Sequence, residues 1–266
     1  MSNLLNVDRV AFTIGKTEIY WYGVIICAAI LVAILVATIY SKKKGYETDL
    51  PINIAIVILP AGILCARLFA VLFDSSLSLS DYFNFRTGGM SIIGAVIGGG
   101  LALLIYCLIK KEKEPFKFFD TLAVVLILAQ AIGRWGNYFN EEVYGQVVEA
   151  GSFFAKFPFA VLIDGTYYQA LFFYEFCANI VIFVLLSYVH LNVKNTGYVT
   201  SLYLILYGMV RTVLEPLRQA EYILKFQGLP ISQLLSATMI AFGVLLFVIR
   251  FVVNNKKKVN KNEQES

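Results

Sequence analysis

The chain has 266 residues, 59% of them hydrophobic and 15% charged, with 22 Lys and Arg against 18 Asp and Glu. Soluble domains average about 45–50% apolar and about 25% charged residues, so this composition, with a mean hydropathy of +0.72, excludes a disordered chain, a disulfide scaffold and an ordinary cytosolic enzyme. It predicts a polytopic membrane protein, in which the placement of Lys and Arg says more than the formal charge of +4.

Seven apolar stretches follow in chain order, at residues 19–40, 50–73, 89–109, 119–136, 168–190, 197–215 and 232–253. Most approach the roughly 20 residues needed to cross about 30 Å of hydrocarbon. The fourth is interrupted by Gln130 and Arg134. The first has no basic segment before it and no small-residue cleavage site after it, so it reads as a retained span and not a signal peptide. The expected fold is an all-α integral membrane protein with seven transmembrane helices. Residues 1–253 form its membrane domain, and 254–266 a basic, disordered tail.

Orientation follows from the cations. Thirteen Lys and Arg, among them Lys42–Lys44, Lys110, Lys111, Lys113 and Lys256–Lys258, fall on one side of the seven spans, and seven on the other. Positive residues stay inside, which puts the N-terminus outside and the C-terminus in the cytoplasm. Loops 74–88, 137–167 and 216–231 then face outward. The longest carries Asp164-Gly165 between apolar and aromatic runs, a hairpin signal. A small extracytoplasmic head is expected there.

Cys27, Cys65, Cys107 and Cys177 all lie in apolar runs and read as small buried hydrophobes. With one histidine in the chain, His190, neither a disulfide framework nor a metal site is expected.

Ionisable residues in spans are costly, about 2.5–3.5 kcal/mol each on insertion scales. This chain places Arg67, Arg134, Glu175, Arg211 and Glu215 in or near them. Arg211 and Glu215, four apart, can neutralise each other. Arg67 and Arg134 are left as surplus cations, which points to a wet cavity or an anionic ligand, of which lipid phosphate is the most abundant in a bilayer. Tyr207, Arg211 and Glu215 share a helical face. Pro216 ends or kinks that helix before Arg218. Gly94 and Gly98 form a GxxxG, read first as close helix packing and second as room for a bulky ligand. The densest polar run is Gly133-Arg134-Trp135-Gly136-Asn137-Tyr138-Phe139-Asn140-Glu141-Glu142-Val143-Tyr144-Gly145, at the outer end of the fourth span. An interfacial aromatic belt explains its Trp and Tyr but not its Arg, two Asn and two Glu.

That run resembles the signature of the prolipoprotein diacylglyceryl transferases, bacterial enzymes with seven spans, whose pattern is approximately G-R-x-G-N-x-x-N-x-E-x-x-G. Gly133, Arg134, Gly136, Asn137, Asn140, Glu142 and Gly145 supply every fixed element. Tyr20-Trp21-Tyr22-Gly23, Ala66-Arg67-Leu68, Gly88-Gly89-Met90-Ser91, Tyr174-Glu175 and the run from Tyr207-Gly208 through Arg211 and Glu215 to Arg218 are similar to further family segments, so the likeness covers roughly residues 15–250.

The resemblance implies transfer of the diacylglyceryl group of phosphatidylglycerol to the lipobox cysteine of prolipoproteins, the first step of lipoprotein maturation. Glycerol phosphate is released. The protein would sit in the bacterial cell membrane, with no cofactor, no metal and no nucleic acid. It implies catalytic roles for Arg134, Asn137, Glu142, Arg211 and Tyr207. Substrate-binding roles fall to Tyr22, Arg67, Gly89, Asn140, Gly145, Glu215 and Arg218. The chemistry fits: a thiol of pKa about 8.5 must be deprotonated, and Arg grips phosphate with two parallel hydrogen bonds.

The sequence departs from the family where a histidine or tyrosine usually follows Met-x-x. Here Ile93 stands there, with Ala95 for the second glycine, and Gln169 replaces a second histidine. His190 reads as an interfacial residue. Any proton transfer falls to Tyr20, Tyr22, Glu142 or Tyr207, or to water. A lipid- or lipoprotein-binding paralogue without turnover is the alternative. A transporter is disfavoured because no inverted repeats are visible.

Overall fold

The computed structural model describes residues 8–73, 77–84, 89–219, 225–226 and 229–265. Arg86 of the charge count and Gly88 of the paired glycines lie outside them. The chain is mostly helical: α1 (Trp21–Lys44), α2 (Leu50–Phe73), α3 (Ile92–Ile109), α4 (Phe116–Phe139), α5 (Leu171–Asn192), α6 (Tyr198–Leu214) and α7 (Ile231–Glu265). Six of these, all but α6, are long and apolar enough to cross a membrane. Helix α6 has 17 residues, about 26 Å at about 1.5 Å per residue.

Each apolar stretch of the sequence corresponds to a helix, and the shifted boundaries have local causes. Helix α1 starts at Trp21 because Thr17–Tyr20 (β2) pairs with Val10–Ile14 (β1) around the left-handed Gly15. This hairpin was not expected from the sequence. Helix α3 starts at Ile92 because the Ser91 hydroxyl caps it, accepting from Gly94 N at 3.3 Å. Helix α5 starts at Leu171 because Thr166–Gln169 (β4) pairs with Ala160–Ile163 (β3). Ile163 faces Thr166 across Asp164-Gly165, both with positive φ (46° and 79°), so the hairpin expected at this step is present. Helix α7 continues to Glu265, through the segment expected to be disordered. Its Lys, Glu and Gln are good helix formers, and extending an existing helix needs no new nucleus.

The chain forms two units, residues 37–115 and residues 1–36 with 116–266. In the first, α1 ends in a Schellman motif: Tyr46 N donates to Ser41 O at 2.8 Å and the left-handed Gly45 to Lys42 O at 3.2 Å. Helices α2 and α3 touch backbone to backbone. A Cβ at Gly94 would sit 2.4 Å from Cys65 O, and one at Gly98 would sit 2.8 Å from Ala61 O. The GxxxG is therefore a packing device, the first of its two readings. Between the helices, Arg67 is fully buried. Asp81 accepts from the Ser78 backbone N–H and hydroxyl at 3.0 and 2.8 Å, and these bonds hold its carboxyl below the usual carboxylate range.

In the second unit, α4 packs on α5 and α6 on α7. Gly208 lets α7 approach α6, since a Cβ there would lie 3.0 Å from Ser236 O, and Gly243 does the same against Ser201 O at 3.0 Å. Buried Asp120 of α4 caps α6 from outside: Gly197 N and Thr200 N donate to its carboxylate at 2.6 and 2.9 Å, and the Thr200 hydroxyl at 2.6 Å. His190, in the last turn of α5, is buried 3.5 Å from the Thr121 hydroxyl. Of the four free cysteines only Cys107 is fully buried. Cys27 and Cys177 lie on exposed apolar helix surfaces, where the surroundings of a membrane protein are lipid chains.

Candidate active site

The polar signature begins inside α4 and runs out of its end. Helical spacing puts Arg134 and Asn137 on one face, and Arg134 Nη1 donates to Asn137 Oδ1 at 3.2 Å. Beyond the helix, Glu141 and Val143 both have left-handed backbones, with φ of 51° and 59°. That conformation is uncommon for Glu and costly for a β-branched residue. It turns the chain back, so that Asn137 Nδ2 and Asn140 Nδ2 both donate to Glu142 Oε1, at 3.0 and 3.2 Å. Gly136 has no room for a side chain, because a Cβ there would meet the Tyr22 ring at 2.6 Å. Its neighbours stack likewise, Trp21 on Phe139 with ring centroids 5.1 Å apart.

From Arg134 a chain of charges crosses to α5 and α6. Arg134 Nη2 donates to Glu175 Oε1 at 2.5 Å, and Arg211 Nη1 to Glu175 Oε2 at 3.3 Å. Arg211 Nη2 donates to Glu215 Oε2 at 2.6 Å, and Arg218 Nε lies 3.3 Å from the same oxygen. The Tyr207 hydroxyl donates to Glu175 Oε1 at 3.3 Å, and its ring stacks on Tyr203, which exchanges hydrogen bonds with Gln130. Glu175 and Glu215 are almost wholly buried. Burial and the nearby Arg211 hold the Arg218 guanidinium below the usual arginine range, against the pull of Glu215.

Arg134, Asn137, Asn140, Glu142, Tyr207, Arg211, Glu215 and Arg218 thus join one network. The expected Arg211–Glu215 pair is present. The expectation of surplus cations is corrected for Arg134, while Arg67 has its donors taken up by backbone carbonyls. Arg134 is paired with Glu175. Arg67 donates from Nη1 to Gly89 O at 2.8 Å and from Nη2 to Asp81 O and Asn84 O at 2.7 and 2.8 Å. Its planar fork holds the loop after α2, where Gly89 takes φ 74°. Gly145 is wedged against Gln169 and Leu171, and its carbonyl accepts from Gln219 Nε2 at 3.0 Å, a packing position. Helix α6 ends at Leu214 and a 3-10 turn, Glu215–Leu217, carries the chain to Arg218, as Pro216 requires.

Glu175, which the sequence reading noted but gave no role, is the hub of the cluster. The available signal was a carboxylate inside an apolar run, four residues into a span with two arginines unaccounted for. Beside the network, Asn137, Glu142, Tyr138 and Tyr144 line a small recess closed by Val161 and Ile163 of β3 and by Phe172. Its lining mixes apolar side chains with the carboxylates of Glu141 and Glu142.

The site can do two things chemically. Two guanidiniums, joined by one carboxylate, are held in a largely buried setting where phosphate oxygens gain most from fixed cations. A second carboxylate, Glu142, is fixed by two amides at the recess.

Comparison with known proteins adds an independent result. The family model described as "Prolipoprotein diacylglyceryl transferase" matches residues 9–249. The chain is 37% identical over 263 residues to phosphatidylglycerol–prolipoprotein diacylglyceryl transferase 1 of Clostridium perfringens, covering 96% of this chain and 98% of that one. It is 36% identical over 262 residues to the enzyme of the same description from Clostridioides difficile, covering 97% and 100%. It is 35% identical over 250 residues to that of Streptococcus uberis, covering 92% and 95%.

Proposed function

Because the chain belongs to the prolipoprotein diacylglyceryl transferase family, we infer that it is a membrane transferase that moves the diacylglyceryl group of phosphatidylglycerol to a prolipoprotein. A binding-only paralogue is not favoured, since the likeness to the transferases runs the length of the chain. The observation that carries the reading into chemistry is the Arg134–Glu175–Arg211 bridge.

The acceptor is taken to be the lipobox cysteine. Its thiolate attacks the glyceryl carbon, the carbon–oxygen bond to phosphate breaks, and glycerol phosphate leaves with the electron pair as the thioether forms. Arg134 and Arg211 grip the phosphate, with Arg218 adding charge and Glu215 orienting Arg211. Tyr207 and Asn137 hold the two arginines in register. Glu142 takes the thiol proton, and Asn140 fixes its carboxylate. Tyr22 packs its ring on Gly136 and so braces the end of α4 beside these groups. Arg67, Gly89 and Gly145 act by holding loops in place. We take α6 as the seventh span, with the N-terminus outside and the C-terminus cytoplasmic, on the Lys and Arg asymmetry.

The test is to incubate the purified protein with phosphatidylglycerol and a lipobox peptide and to look for the mass of the diacylglyceryl thioether. Its absence with correctly folded protein would overturn the reading.

A further inference from the structure

The loop between α4 and β3 carries four phenylalanines in seven residues, Phe153-Phe154-Ala155-Lys156-Phe157-Pro158-Phe159. Three of them are turned outward: Phe153 is 66% exposed, Phe154 58% and Phe157 56%, and Lys156 between them is exposed as well. Phe has no polar tip to satisfy in water, and Phe153 and Phe154, with ring centroids 5.5 Å apart, together with Phe157 on the same short loop expose apolar surface that needs a partner.

The patch is built, and its level in the membrane can be read. A 3-10 turn, Phe153–Ala155, is closed by Ala155 N donating to Ser152 O at 3.1 Å, and the return by Phe159 N donating to Lys156 O at 2.9 Å. Phe153 and Phe154 both touch the Phe159 ring, with centroids 5.7 and 6.1 Å apart. Phe159 in turn packs on Phe173 at 5.8 Å, and its carbonyl accepts from the Tyr174 hydroxyl at 3.0 Å. Phe173 and Tyr174 belong to the first turn of α5, one of the six helices able to cross a bilayer. The loop therefore sits where a span meets the headgroup region, the depth at which aromatic side chains concentrate. On its other side Phe157 touches Tyr138 at 5.7 Å, and Tyr138 lines the recess beside Asn137 and Glu142.

We propose that this loop is a wedge that enters the lipid leaflet beside the active site, with Phe153, Phe154 and Phe157 among the upper acyl chains and Lys156 at the anionic headgroups. The inference rests on the reading of the chain as a membrane enzyme acting on an anionic lipid. The occupant is a lipid surface and not the apolar core of a signal peptide, because Lys156 among the rings finds its counter-charge in lipid phosphates, whereas an uncharged apolar helix offers none. The wedge gathers the donor lipid at the mouth of the site.

The experiment places a nitroxide at Phe154→Cys in the full chain with its four native cysteines replaced by alanine, reconstituted in vesicles of phosphatidylglycerol and phosphatidylcholine. Collisional relaxation by oxygen, which partitions into lipid, is compared with that by a water-soluble nickel chelate. Val181→Cys, at an exposed position on α5, serves as the lipid reference, and Asp164→Cys, at the exposed hairpin tip, as the water reference. The Phe154 label is expected to follow Val181. A label that follows Asp164, or one that is shielded only when a signal peptide is added, overturns the wedge. In the transfer assay, Lys156→Gln is expected to raise the phosphatidylglycerol fraction for half-maximal rate about fivefold, the worth of one cation at an anionic surface, with kcat unchanged. No change overturns the headgroup contact. The label reports without turnover, so an inserted loop in an inactive protein would count against the transferase reading alone.

Discussion

Arg134 of α4 and Glu175 of α5, 41 positions apart, meet with 2.5 Å between nitrogen and oxygen, their side chains 17% and 4% exposed. A salt bridge of this burial contributes little net stability while it is whole and costs much when one partner is removed, because the other is left as a buried charge.

Glu175→Gln is therefore expected to destabilise the protein by about 3 kcal/mol, seen as a lower unfolding temperature in detergent. Gln keeps the shape but presents an amide N–H to Arg134 or Arg211, where each now has a carboxylate oxygen. Activity should fall with stability. Unchanged melting would show that the bridge is not held this way in the membrane.

Arg134→Lys is expected to fold and to lose about thirtyfold in rate, which corresponds to about 2 kcal/mol of transition-state binding. Lysine keeps the charge but cannot span both Asn137 Oδ1 and Glu175 Oε1 as the guanidinium does. Near-normal turnover would mean that a point charge suffices.

Topology is tested by labelling in intact cells with an impermeant thiol reagent, again without native cysteines. A cysteine at Asp164, at the exposed hairpin tip, should react, and one at Lys111 should not. The reverse pattern would invert the proposed orientation. Ser152 is a poorer probe, since its hydroxyl is buried.

Ile93 stands in the first turn of α3, 39% exposed, at the position where the resemblance of the sequence to the family leads one to expect histidine or tyrosine. A positioned acid–base group is typically worth about 10²–10⁴-fold, so Ile93→His or Ile93→Tyr is expected to raise the transfer rate. The comparison uses equal amounts of folded wild type and both variants. A fall in both, with wild type active, would show that another group already handles the proton and that the ring overpacks the helix.

Much of this molecule was legible in the sequence because its rules are local. Apolar length fixed the helices, Asp164-Gly165 the hairpin, and Pro216 the end of α6. The i, i+4 spacing of Arg211 and Glu215 fixed their pairing. What could not be read was long-range. Glu175 and Arg134 meet only because α4 and α5 are neighbours, and Arg67 finds its carbonyls only once the loop beyond α2 has folded back over it. The same charge rules that rightly marked these residues as expensive could not say which groups take up the hydrogen bonds of each. The β1–β2 hairpin was missed because its few alternating residues run into the apolar start of α1.

The charge ladder from Arg134 to Arg218 has a consequence for how its five members can be dissected. Glu175 shares its two oxygens among Arg134, Arg211 and Tyr207, and Glu215 Oε2 serves both Arg211 and Arg218. No rung has a private partner, so single substitutions do not measure single contacts. Each one also strands the next residue along. Removing Arg134 and Glu175 together leaves fewer orphaned charges than removing Glu175 alone, and the double variant should be milder than the sum of the singles by about 0.5–3 kcal/mol. The cluster behaves as one thermodynamic object, and a scan that changes it one residue at a time will report five essential positions where the fold holds a single cooperative unit.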